Sequence, residues 1–166
     1  AVIRRAYARQ ILASVNVRDA RIEQAFADVR REDFLGQGPW QIFRGAYVPT
    51  PDADPVYLYT DSLVGIAPER NINNGQPSLH AYLLAAAGIA AGEHVVHIGT
   101  GTGYYTAIMA QLAGPAGRVT GIEFDSELAA RARDILSQHP NVEILTGDGT
   151  ITPFGKADVI YVNAGA

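Results

Sequence analysis

Residues Glu93 to Tyr104 read Glu-His-Val-Val-His-Ile-Gly-Thr-Gly-Thr-Gly-Tyr, and they limit the fold more than any other stretch. Val95, Val96 and Ile98 are β-branched and flank His97, the composition of a short buried strand. Gly99, Gly101 and Gly103 then alternate with threonines. Glycine reaches φ > 0 without penalty, so the chain can turn sharply and let a ligand lie on its backbone. A helix-like run, Tyr104 to Leu112, follows at once. A strand, a tight glycine turn and a helix N-terminus make a site for the polar part of a nucleotide-like ligand.

The spacing narrows the ligand. A dinucleotide fingerprint, G-x-G-x-x-G, needs a glycine where Tyr104 stands. The motif here is G-x-G-x-G, typical of enzymes that use S-adenosyl-L-methionine (AdoMet), which has no pyrophosphate. An ordinary strand-to-helix turn is the plainer reading of the glycines alone, so the downstream chain decides.

The 166 residues suffice for one domain with a real core, and 48% hydrophobic with 18% charged residues is a globular composition. A net charge of −4 argues against nucleic acid as the main partner. With no cysteine, disulfides and thiolate metal sites are excluded. The four His and the carboxylates show no metal-ligand spacing, so no metal is expected. The longest apolar run, Ala81 to Ala91, is shorter than the roughly 20 residues a membrane span needs. No basic-then-apolar leader opens the residues given, so a cytoplasmic protein is expected, with no membrane partner.

In chain order, Ala1–Leu12 and Ala20–Val29 have helical periodicity, the second with Asp19 as N-cap. Arg30-Arg31-Glu32-Asp33 reads as a solvated charge cluster. Gly36 to Asp61 reads as a long irregular region with Trp40, Phe43, Tyr47, Tyr57 and Tyr59, which either line a substrate groove or plug a small satellite core. Leu63 to Ala67 suits a short strand, Glu69 to Gly75 is turn-rich, and Pro77 opens a helix running to Ile89. Beyond the glycine turn come a strand at Arg118–Ile122, a helix capped by Asp125 or Ser126 and running to Ser137, and strands at Val142–Leu145 and Ala157–Val162. Alternating strands and helices imply a parallel sheet. The expected class is α/β, a Rossmann-like doubly wound parallel sheet over residues 77–166, with an N-terminal helical and loop extension over 1–76 on the substrate side.

In such sheets ligands sit at the carboxyl ends of the strands, and three polar features fall there: the glycine turn, Glu123 and Asp148. A carboxylate at Glu123 can accept both hydroxyls of a ribose. Asp148, between Gly147 and Gly149, can accept from an exocyclic amine such as that of adenine. Singly, Glu123 reads as a surface carboxylate and Asp148 as a turn-former. Together with the glycines they describe an adenosine pocket.

These residues resemble class I AdoMet-dependent methyltransferases, and within them the protein-L-isoaspartate O-methyltransferase family. The likeness takes in Asp19-Ala20-Arg21-Ile22 with Ala25-Phe26, Val29, Arg31 and Phe34-Leu35, then Pro77 with His80-Ala81-Tyr82, Gly99 through Ala107, Val119 through Glu123, Gly147-Asp148-Gly149, and Ala157 through Val162. It implies AdoMet as cofactor, bound through Ser78, His97, Gly99, Thr100, Gly101, Gly103, Glu123, Phe124, Asp148 and Gly149. It implies methyl transfer to a carboxylate of an isoaspartyl protein or peptide, or of a small molecule. It also implies a sheet that continues past the fourth strand. Since the sequence given stops at Ala166, a sheet incomplete at its C-terminus is expected, its fourth strand left with an apolar edge or covered by another copy in an oligomer.

The chain departs from that family pattern at two positions. A Thr-Ile-Ser type stretch, whose hydroxyl lies beside the transferred methyl, is replaced by Asn73-Asn74-Gly75, so Gly75 and Asn74 hold the catalytic positions. His97 stands where a carboxylate would steady the positive end of AdoMet, and as His⁺ it would repel the sulfonium. These departures keep open a methyltransferase with another substrate and a non-catalytic AdoMet-binding module. A nicotinamide-dependent oxidoreductase shares the architecture, but Tyr104 speaks against it.

Overall fold

The computed structural model describes residues 1–164; Gly165 and Ala166, the end of the expected 77–166 domain, lie outside the described residues. The chain divides into two compact units, residues 1–85 and 86–166, whereas the sequence places the boundary before Pro77.

The first unit opens with helices α1 (Val2–Ser14) and α2 (Ala20–Asp28). Asp19 starts α2, its carboxylate accepting the N–H groups of Arg21 (2.8 Å) and Ile22 (3.3 Å). Tyr7, Ala8, Ile11 and Leu12 of α1 and Ile22, Ala25 and Phe26 of α2 are buried, the faces that the spacing indicated. The region 36–61 is more ordered than the sequence suggested. Strands β1 (Gln41–Phe43) and β2 (Tyr47–Pro49) form an antiparallel hairpin, and Pro55–Leu58 is a 3-10 turn. Trp40 packs with Leu35, Ile42, Leu58 and Val64, with Tyr57 against that cluster, and Tyr59 meets Tyr7 edge-on at 5.5 Å. These aromatics fill a satellite core. Phe43 packs edge-on against Tyr47 and stays partly exposed. A second antiparallel pair, β3 (Gly65–Ala67) and β4 (Ile72–Asn73), leads to α3 (Pro77–Ala87).

The expected solvated cluster at 30–33 needs correction. Arg30 does point outward, paired with Glu32 and Asp33. Arg31, however, is fully buried, and Glu32 accepts a short hydrogen bond from the Tyr59 hydroxyl. Four consecutive charges look alike in sequence, but the 3-10 turn at Arg31–Phe34 turns them to different sides.

The second unit is the parallel sheet. Strand β5 (His94–Ile98) is followed by α4 (Tyr104–Ala113), β6 (Arg118–Glu123), α5 (Ser126–Leu136), β7 (Val142–Thr146) and β8 (Val159–Val162). The order across the sheet is β7-β6-β5-β8, every pair parallel, which is the Rossmann-like α/β arrangement expected. Strand order reverses between β5 and β8, the topological switch point where ligands bind in open α/β sheets. Val95, Val96, Val119 and Ile122 are buried, as strands inside a parallel sheet require. Among the described residues β8 pairs only with β5, and Ile160 and Val162 are 54% and 60% exposed. No helix among the described residues is long and apolar enough to cross a membrane.

Candidate cofactor-binding site

Glu123 ends β6, and its carboxylate reaches across to the turn that follows β5. Its Oε2 accepts the N–H of Gly101 at 2.7 Å, and its Oε1 accepts the N–H of Asp125 at 3.0 Å. One side chain thus fixes the glycine turn and the entry to α5. Each carboxylate oxygen keeps a further lone pair, so the group can still accept ribose hydroxyls.

The glycines answer to packing as well as to any ligand. A Cβ on Gly99 would lie 2.6 Å from the Asn163 carbonyl oxygen, and one on Gly103 would lie 2.6 Å from Leu136 Cδ1. Gly99, Gly101 and Gly103 have φ of +83°, +55° and +95°, a left-handed region that disfavours other residues. Among the described residues no side chain caps α4, which leaves its first-turn N–H groups open to a ligand. Thr100 is buried, and its hydroxyl has no hydrogen-bond partner among the described residues. An orphaned hydroxyl in a glycine turn beside an acceptor carboxylate suits a polar ligand.

Asp148 follows β7 after Gly147. Its Oδ1 accepts the N–H of Thr150 at 2.8 Å and the Thr150 hydroxyl at 2.7 Å, and these bonds hold its carboxyl below the usual carboxylate value. Asp148 is ionised at neutral pH and is an acceptor only. At Gly149 a Cβ would collide with Ile98 Cγ2, so β5 and the loop after β7 close on each other there. Phe124 turns its ring outward at 78% exposure. The glycine turn, Glu123 and the Asp148 loop therefore share one end of the sheet, as their strand positions indicated.

His97 is fully buried, with Nδ1 2.9 Å from Thr106 Oγ1 and its ring edge-on to Tyr161. Its side chain is engaged in the packing between β5, α4 and β8. His94 opens β5 at the opposite end from the turn. It is buried, with Nε2 2.9 Å from Thr120 Oγ1, and its N–H donates to Asp158. It lies away from the carboxyl tips of the strands.

In the first unit, the stretch before α3 is built around Arg31. Nη1 donates to the carbonyls of Leu58 (2.6 Å) and Thr60 (3.0 Å), and Nη2 to those of Ser62 (2.7 Å) and Asn74 Oδ1 (3.1 Å). Asn74 Oδ1 also accepts the Val64 N–H at 3.2 Å, so the amide is fixed with Nδ2 pointing away, a buried donor without a partner among the described residues. Gly75 has φ +76°, and a Cβ there would collide with His80 Nε2. Burial, with the Arg31 charge adding to it, pushes His80 down to about 3, so the ring is neutral. Ser78 is buried; its N–H donates to Asp61 Oδ1 at 2.8 Å, a cap for α3 from a distant loop. The burial of Arg31 and the capping role of Asp61 were not legible in the sequence, because their partners lie many positions away and no local pattern marks them.

The family profile described as protein-L-isoaspartate(D-aspartate) O-methyltransferase matches residues 6–166. A protein-L-isoaspartate O-methyltransferase of Ignicoccus hospitalis is 34% identical over 162 residues, which is 95% of this chain and 69% of that protein. One of Brucella anthropi is 32% identical over 157 residues, 90% of this chain and 62% of that protein. A solved protein-L-isoaspartate O-methyltransferase superposes with a TM-score of 0.77 at 29% identity, covering 97% of this chain and 48% of its own. The fold is shared by a Plasmodium falciparum protein crystallised with S-adenosyl-L-homocysteine, at a TM-score of 0.74 and 18% identity over 98% of this chain and 74% of its own. With a profile match over nearly its whole length and relatives above 30% identity, the chain belongs to the protein-L-isoaspartate O-methyltransferase family.

Proposed function

We propose that this chain binds AdoMet at the carboxyl tips of β5, β6 and β7 and serves methyl transfer to the carboxylate of isoaspartyl residues in proteins. The observation that carries the reading is Glu123 joined to Gly101 N–H in a chain of this family. When bound, AdoMet supplies an activated methyl group, which a carboxylate oxygen takes as the carbon–sulfur bond breaks and S-adenosyl-L-homocysteine is left. An ionised carboxylate is already a nucleophile, so the protein's part is alignment and exclusion of water. In this reading Glu123 receives the ribose hydroxyls, Asp148 the adenine amine, and the Thr100 hydroxyl a polar group of the same ligand. Gly99, Gly103, Phe124 and Gly149 shape the same pocket, with His97 packed behind the turn. Asn74 Nδ2 is the donor we assign to the acceptor's carboxylate, with Arg31 orienting it. A cytoplasmic location belongs to the same reading.

Gly75 favours a second reading, an AdoMet-dependent methyltransferase with another acceptor. Its backbone leaves no room for any side chain beside His80, so no hydroxyl stands there. Radiolabelled methyl transfer to an isoaspartyl peptide, beside a panel of other carboxylates and amines, separates the two. Calorimetry with S-adenosyl-L-homocysteine, run in parallel, reports on the pocket alone. Transfer to the isoaspartyl peptide supports the first reading. Tight binding with transfer only to another acceptor supports the second, and binding without transfer leaves a non-catalytic module.

A further inference from the structure

Asn74-Gly75 is the chain's single Asn-Gly pair. In such a pair the next backbone nitrogen meets the side-chain amide with least hindrance, because glycine carries no Cβ. The Gly75 nitrogen attacks Asn74 Cγ and an N–C bond forms. The Cγ–Nδ2 bond then breaks, and ammonia leaves with the proton from the Gly75 amide. Water opens the resulting cyclic imide at either carbonyl, which leaves isoaspartyl or aspartyl at position 74. The sequence consumes water only.

In the folded chain the side-chain amide oxygen and the attacking nitrogen of that reaction are both tied down. Asn74 Oδ1 is held by Arg31 Nη2 at 3.1 Å and by the Val64 N–H at 3.2 Å. The Asn74 N–H donates to the Val64 carbonyl at 3.0 Å, so the same residue grips both the backbone and the side chain. The attacking nitrogen is also engaged, since the Gly75 N–H donates to Asn73 Oδ1 at 3.0 Å. Asn74 is only 7% exposed, and His80 fills the space beside Gly75. To cyclise, the amide must leave Arg31 and Val64 and swing over its own backbone, and Gly75 must release Asn73.

We infer that Asn74-Gly75 is a guarded deamidation site, stable while Arg31, Val64 and Asn73 hold it and reactive once that local grip opens. The inference concerns the covalent state of the chain and stands apart from the methyl-transfer reading. Its consequence for that reading is direct, because deamidation removes the Nδ2 donor assigned above to the acceptor.

Peptide mapping of the full chain after prolonged incubation in mildly alkaline buffer tests it, with isoaspartyl and aspartyl products resolved from the asparagine peptide. In native buffer Asn74 stays intact. In urea it converts ahead of Asn71 and Asn73, whose following residues carry a Cβ. Arg31→Lys keeps the charge but not the fork, and Asn73→Ala frees the Gly75 N–H. Each converts in native buffer roughly tenfold or more faster than the parent chain, as expected when opening is the limiting event. Circular dichroism confirms that the variants are folded, and Asn73→Ala, at a partly exposed side chain, decides the matter if Arg31→Lys does not fold. Conversion of the native chain as fast as in urea, no conversion in urea, or folded variants reacting at the parent rate would each overturn the proposal.

Discussion

Arg31 serves three main-chain carbonyls and the Asn74 amide from one buried guanidinium, so removing it strands several acceptors at once. Arg31→Met fills most of the volume but none of the hydrogen bonds. It should cost about 3 kcal/mol or more, read as a lowered urea midpoint. His80 carries a pH signature. Unfolded, it takes up a proton near 6.5; folded, it resists until about 3. Between those values the unfolded state binds more protons, so stability falls as pH falls through that window, and above it the group has no effect. His80→Gln should flatten the pH dependence of the urea midpoint between 6.5 and 3. Glu123→Gln keeps one acceptor but sets an amide NH₂ against a backbone N–H. Calorimetry should show S-adenosyl-L-homocysteine binding weakened by about 1–3 kcal/mol in a chain that still folds. The strand-end positions of Glu123 and Asp148 were legible in the sequence because one ends and the other follows a strand within a recognisable motif. Arg31 enters only through the family resemblance of the N-terminal helices, since nothing local distinguishes it from Arg30 or gives its buried role.

At the level of elements, the run from β5 through β7 follows its sequence signals within a residue or two, because strand composition, capping by Asp125 and turn residues agree with one another. The hairpin β1-β2 escaped notice for the opposite reason. Its strands have three residues each, lie among prolines and glycines, and are held by the packing of Trp40 and Ile42 rather than by local preference. Among the described residues strand β8 pairs on one side only. It is uncharged, and Ile160 and Val162 face solvent. Ile160→Lys should reduce light scattering of concentrated samples while leaving the melting temperature nearly unchanged, since the side chain is more than half exposed.

For the molecule as a whole, ligand linkage gives the broadest test of the cofactor reading. S-adenosyl-L-homocysteine at about 100 times its Kd should stabilise the chain by about 2.7 kcal/mol, seen as a raised melting temperature, and NAD should not. Hydrogen exchange should slow at Gly99–Gly103, Glu123 and 146–150. The strand order β7-β6-β5-β8 has a further consequence, for synthesis. Strand β5, one of the two inner strands, leaves the ribosome before either of its neighbours. One flank is met once Arg118 to Glu123 has emerged, but the other waits for Val159. A nascent chain stalled in that interval exposes the hydrogen-bonding edge of its own centre, so the pace of translation bears on how much of the protein escapes aggregation.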